Sequence, residues 1–252
     1  MKGKVVIALA AVAAVLLAAW GGYVFCTQVN IEGFGELYAL IPTYIVLLAV
    51  CAVIAELLHE GGHYIVGAIL KMGVRLPQLR FFRSSSVEIN PKGVKGLRAR
   101  FIITAGAGLF FDLILIAVGI VALTVPAVTP IYGAFLPYAA YAFIVNAAPL
   151  EYSGGKTDGL AIVEALSKND SSKVMFAVLK VQGLINSGVA LKDVDESILT
   201  DVSQVQEDDI NFIILTQLRY EYYLAKGDEE KAQKYLDRFN EIKQYLPEGY
   251  VK

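Results

Sequence analysis

Apolar side chains run almost unbroken through three long stretches of the 252-residue chain: Val5 to Ile31, Leu37 to Ala55 and Leu113 to Leu150 contain no charged residue. A helix needs about 20 apolar residues to cross a bilayer, so each run is long enough for at least one crossing. With their flanks, the runs predict helices over about 5–26, 37–70, 101–124 and 131–148. After Asp158 the pattern changes: Phe212, Leu215, Leu218, Tyr222 and Leu236 fall at the three- and four-residue spacings of amphipathic, water-facing helices. The fold class expected is therefore an α-helical multi-pass membrane protein with about four transmembrane helices, followed by a C-terminal soluble helical domain.

Between the second and third helices, Leu79 to Asn90 reads as two short extended runs around a serine turn, closed by Pro91; this predicts a small membrane-associated β-hairpin. The organisation expected is an N-terminal anchor and external loop over 1–36, a membrane core over 37–166, and a cytosolic helical domain over 167–252. In the last, Tyr223, the Gly227-Asp228 turn and Ala232 resemble one tetratricopeptide unit, a helix pair of about 34 residues. A generic helical hairpin fits the same residues.

Charge adds orientation. The chain is 18% charged, against roughly 25% for an ordinary soluble domain. Residues 1–150 carry a net charge of +4 and residues 151–252 a net charge of −6. Eight Lys and Arg fall in residues 71–100 and none in 27–36, so the basic loop and both termini are expected on the cytoplasmic side. Basic residues that cluster between membrane segments, beside an acidic C-terminal part, argue against a nucleic-acid partner. Cys26 and Cys51 make neither a disulfide framework nor a CxxC metal pair. Lys2 and Lys4 ahead of an apolar stretch resemble the start of a secretory signal, but the stretch continues to Phe25, beyond the usual h-region of roughly 7 to 15 residues, so a retained first helix is expected.

The two histidines of the chain both lie in His59-Glu60-Gly61-Gly62-His63, an H-E-x-x-H pattern near the end of the second apolar helix. Four residues turn an α-helix through about 400°, so His59 and His63 share a face one turn apart and can bind one Zn²⁺, with Glu60 beside them. A helix that merely packs would carry an acidic residue at membrane depth at a cost of about 2.5 to 3.5 kcal/mol. Gly61 and Gly62 would let another backbone approach the metal. Catalytic zinc usually has three protein ligands and one open position. The candidates for the third are Glu56, Asp112, Glu151 and Asp158. Asp158 stands out because Asn146-Ala-Ala-Pro149 ends an apolar helix and the glycine-rich stretch to Asp158-Gly159 returns an aspartate to membrane level.

In the order and identity of these motifs, residues 37 to 166 resemble the site-2 protease family of intramembrane zinc metalloproteases. The resemblance implies one Zn²⁺ per chain held by His59, His63 and Asp158, Glu60 as general base, and Asn146 as a catalytic group that positions substrate or stabilises an oxyanion. Thr104-Ala-Gly106-Ala-Gly108 resembles the family's small-residue motif in the intervening helix. The chain departs from the family pattern in Leu150 to Thr157, which lengthen the interval from Pro149 to Asp158, and in Leu160 after Gly159. The implied activity is peptide-bond hydrolysis in a membrane-anchored peptide or single-pass protein near the cytoplasmic face, the edge of the 79–90 hairpin holding the extended substrate by strand addition. The C-terminal domain is expected to recruit a cytosolic partner or substrate. Two other readings compete. A membrane metalloprotease acting on lipidated C-termini would use Glu151 or Glu164 as third ligand, and a membrane adaptor or peptide-immunity protein would bind a helix without cutting it.

Overall fold

A computed structural model describes residues 2–28, 34–74, 89–125, 130–152 and 155–246. Helices α1 (Lys2–Gln28), α2 (Phe34–Ile69) and α3 (Leu97–Thr124) follow from the apolar runs. Three segments within them, Gly3–Thr27, Leu40–Ile69 and Leu97–Thr124, are long and apolar enough to cross a membrane. Large apolar side chains such as Leu9, Val15, Ile45 and Phe110 point outward on these helices. A surface of that kind suits lipid better than water.

The fourth expected span lies where the sequence predicts it, but the structure does not place it among the helices long enough to cross. A 3-10 turn at Pro130–Phe135 leads into α4 (Leu136–Ala147), and the apolar part, Ile131–Ala147, is shorter than the roughly 20 residues typical of a crossing and does not count among the three long apolar helices. Prolines set both ends: Pro137 lies in the first turn of α4, and Ala148, the residue before Pro149, is extended. Residues 79–88 of the expected hairpin lie outside the described residues. The strand pairing that is described joins β1 (Glu151–Tyr152) to β2 (Gly155–Lys156), antiparallel, with Glu151 opposite Lys156. It occupies the interval between Pro149 and Asp158.

The chain divides into two compact units. The first holds α1, α2 as far as Val66, and Ile103–Ala161, which carries most of α3, all of α4, the β1–β2 pair and the start of α5 (Asp158–Leu166). Phe25, Tyr44, Cys51 and Ala134 make one apolar cluster in it; Ala55, Leu115 and Ala139 make another. Gly62 brings α2 against α3, because a Cβ there would lie 2.5 Å from the Phe111 ring and 3.1 Å from the Ala107 carbonyl oxygen. Gly61 does not share that role, since nothing lies within 4 Å of the corresponding position.

The second unit is built from α6 (Asp170–Ile185), α7 (Glu196–Thr200), α8 (Ile210–Lys226) and α9 (Glu229–Ile242). Its core gathers Val174, Val178 and Val181 with Leu199, Phe212, Leu215, Tyr222, Ala232 and Ile242. Side chains cap each helix start: Asn169, Asp195, Asp209 and Asp228 each accept a backbone N–H of the first turn. The α8–α9 pair is a single helical hairpin turning at Gly227 and Asp228.

The described flanks of the basic loop belong to this unit as well, at Gly67–Val74 and up to Ile102. Gly93 N–H donates to the Gly183 carbonyl at 2.9 Å, and the Asn186 amide donates to Asn90 Oδ1 at 2.5 Å and to the Pro91 carbonyl at 2.8 Å. Arg98 lies over the Phe176 ring at 4.6 Å. Glu196 accepts from the Tyr223 hydroxyl at 2.8 Å, and that bond holds its carboxyl below the ordinary glutamate range.

Candidate metal centre

Three elements of the first unit meet at His59 and His63. Helix α2 supplies the imidazoles one turn apart, their rings at 78° to each other with centroids 5.0 Å apart. Helix α3 holds each ring by Nδ1. His59 Nδ1 is 2.8 Å from Asp112 Oδ2, and His63 Nδ1 is 2.8 Å from the Thr104 carbonyl oxygen. A carbonyl only accepts, so His63 Nδ1 carries the proton; a carboxylate at Asp112 imposes the same tautomer on His59. Both Nε2 atoms are then left as lone-pair donors facing inward.

The start of α5 supplies the third group. Asp158 is the first residue of that helix, and Thr157 anchors the turn before it. The Thr157 hydroxyl donates to the Ala148 carbonyl at 2.6 Å and accepts from Leu150 N–H at 3.1 Å and Leu160 N–H at 3.3 Å. Gly159 brings this turn against the end of α4: a Cβ there would lie 2.1 Å from the Ala147 carbonyl oxygen. Only a residue without a side chain fits.

Asp158 Oδ2 thus sits 3.3 Å from His59 Nε2 and 3.2 Å from His63 Nε2, while the two nitrogens are 3.3 Å apart. His59, His63 and Asp158 are all buried, and Oδ2 of Asp158 receives no hydrogen bond among the described residues. Three lone-pair atoms at van der Waals separation without a proton between them repel one another, and a cation removes that repulsion. The triangle is also the right size. The edge of a tetrahedron whose centre-to-corner distance is about 2.0 to 2.1 Å is about 3.3 to 3.4 Å. His59, His63 and Asp158 form a group that can hold a metal ion.

Gly108 forms the floor of this triangle. A Cβ at that position would lie 2.4 Å from His63 Nε2 and 2.6 Å from His59 Nε2. Gly108, the last residue of the small-residue stretch, therefore has a local reason: it keeps the space before the two nitrogens clear.

The other candidates stand elsewhere. Asp112 is buried beside His59 but faces its Nδ1, away from the group of His59 Nε2, His63 Nε2 and Asp158 Oδ2. Glu56 Oε2 accepts from the Tyr138 hydroxyl at 2.6 Å. Glu151 is exposed on β1, and neither it nor Glu164 is in the cluster. Glu60 follows His59 on α2 and is partly exposed. Asn146 Nδ2 is 3.5 Å from His59 Nε2, the outer limit of hydrogen-bond reach. The sequence did not reveal the roles of Asp112, the Thr104 carbonyl and Thr157; the only signals were a lone aspartate within an apolar helix and a threonine before Asp158-Gly159.

Comparison with family models, with curated proteins and with solved structures finds no match.

Proposed function

We propose that the chain is an intramembrane zinc endopeptidase of the site-2 protease type, cutting membrane-anchored peptides or single-pass proteins near the cytoplasmic face. The observation that carries the reading is the buried triangle of His59 Nε2, His63 Nε2 and Asp158 Oδ2, whose two histidines sit on a helix long and apolar enough to cross a membrane, with Glu60 next to His59 in sequence. Two imidazoles and a carboxylate suit zinc among the common divalent ions. An ion held by His59, His63 and Asp158 would supply Lewis-acid polarisation of a carbonyl and a lowered water pKa.

The protein's own residues do the rest. His59, His63 and Asp158 would supply three of the four positions around the ion, the fourth being the one a water or substrate takes. Glu60 takes the proton of the attacking water and passes it to the leaving amine. Asn146 stands beside His59 where its amide can donate to the carbonyl oxygen as charge develops there. A substrate helix hides its carbonyls in backbone hydrogen bonds, so a short segment unwinds before attack. The C-terminal helices recruit a cytosolic partner or the substrate, and the basic loop and both termini lie in the cytoplasm, a placement in which Ile131–Ala147 returns the chain across the membrane after the three long helices.

The test is cleavage of a membrane-anchored peptide panel by detergent-purified chain. Glu60→Gln is expected to keep its metal and lose cleavage; turnover retained by that variant overturns the role of Glu60. A wild-type chain that binds zinc and cuts none of the panel while binding its members tightly would favour the adaptor reading.

A further inference from the structure

Helix α3 clasps the histidines from behind in a register that aims them. The clasping groups, Thr104 and Asp112, lie two turns apart on α3, whereas His59 and His63 lie one turn apart on α2. The rings are drawn apart at Nδ1 and converge at Nε2, with Gly108 midway between the clasps and facing both nitrogens. Thr104 does this with a backbone carbonyl, which any residue at 104 would supply. Asp112 does it with a side chain, and that side chain is fully buried in a helix long and apolar enough to cross a membrane.

A carboxylate there is expensive, and packing alone does not justify it. Oδ2 receives the His59 N–H, while Oδ1 has no hydrogen-bond donor among the described residues. The hydrogen bonding of this group therefore serves one ligand. We propose that Asp112 is the positioning residue of the metal centre: its carboxylate fixes the tautomer and orientation of His59 and raises the donor strength of the opposite nitrogen. The proposal rests on the metal-centre reading above. It separates Asp112 from the cleavage chemistry, since its side chain meets Nδ1 of His59 while Nε2 faces His63 and Asp158.

The test uses the full chain in detergent, stripped of metal, with Zn²⁺ affinity measured by competition against a chromophoric chelator. The visible absorption of the Co²⁺-loaded protein reports coordination geometry. Asp112→Ala is expected to weaken Zn²⁺ binding by about 10- to 100-fold and to alter the Co²⁺ bands while the far-ultraviolet helical signal is kept. Asp112→Asn retains an oxygen that can accept from Nδ1 but loses the charge, so its affinity is expected between wild type and Asp112→Ala. A purely structural role would lower thermal stability and leave affinity and spectrum unmoved, which overturns the proposal. Equality of Asp112→Asn with either neighbour in the series also overturns it; the comparison with wild type still decides if Asp112→Ala fails to fold. Failure of the metal-centre reading itself looks different: the wild-type chain then binds neither Zn²⁺ nor Co²⁺.

Discussion

Replacing Gly108 with alanine adds one methyl group at the point where both ligand nitrogens converge. The new Cβ would lie 2.4 Å from His63 Nε2 and 2.6 Å from His59 Nε2, about 1 Å short of an ordinary contact at about 3.5 Å. Neither ring can swing away freely, because His59 is tied to Asp112 and His63 to the Thr104 carbonyl, each at 2.8 Å. A displacement of about 1 Å is several times the tolerance of about 0.2 Å within which a metal site keeps its bond lengths. Zn²⁺ affinity should therefore fall by at least about 100-fold, or about 2.8 kcal/mol. The fold should survive, since the gain in helix propensity of about 1 kcal/mol offsets part of an overpacking cost of about 1 to 3 kcal/mol. Gly61→Ala is the control: it makes the same chemical change in the H-E-x-x-H turn, with nothing within 4 Å of the new atom. The assay is chelator competition on both variants, with helicity from circular dichroism. Wild-type Zn²⁺ affinity in a folded Gly108→Ala protein would refute the placement of the site.

Thr157→Val keeps the shape of a buried side chain but removes the hydroxyl that joins Ala148, Leu150 and Leu160; a loss of about 1 to 3 kcal/mol is expected in detergent thermal melts, with weaker Zn²⁺ binding because Asp158 follows directly. Tyr138→Phe removes the hydroxyl that donates to Glu56 at 2.6 Å and should destabilise the chain by about 1 to 3 kcal/mol, read from the same melts, without changing Zn²⁺ stoichiometry. In the second unit, Glu196 has a carboxyl held below its ordinary range, first by the Tyr223 hydroxyl and then by Lys226 and Lys231. Its contribution is present above the ordinary glutamate value and is lost as pH falls through the lowered one, so Tyr223→Phe should flatten the acid-side decline in thermal stability; an unchanged decline would contradict the assignment.

Much of this site was legible because its signals are local. A pair of histidines four residues apart on an apolar helix, and an aspartate placed by a glycine-rich turn at the start of the next helix, need no knowledge of the fold to attract attention. Asp112 was legible as a residue out of place but not as a partner of His59, since the choice between Nδ1 and Nε2 depends on the register of α3 against α2. The role of Gly108 depends on the same register. The fourth apolar segment lies within a residue or two of its expected bounds, but its standing as a fourth span is not supported, because the 3-10 turn at Pro130–Phe135 and the stop at Pro149 leave a helix shorter than the other three. The basic loop read as part of the membrane core, whereas its described flanks join the second unit through Gly93 to Gly183 and Asn90 to Asn186, pairs roughly 90 or more residues apart that leave no periodic trace.

The most direct test of the central claim is elemental analysis of the detergent-purified chain after zinc supplementation, comparing wild type with His59→Ala and Asp158→Ala. One zinc per wild-type chain, lost in both variants while helicity is kept, is the predicted result. Zinc retained without Asp158, or none in wild type, would contradict the three-residue metal centre on which the proposed hydrolysis depends.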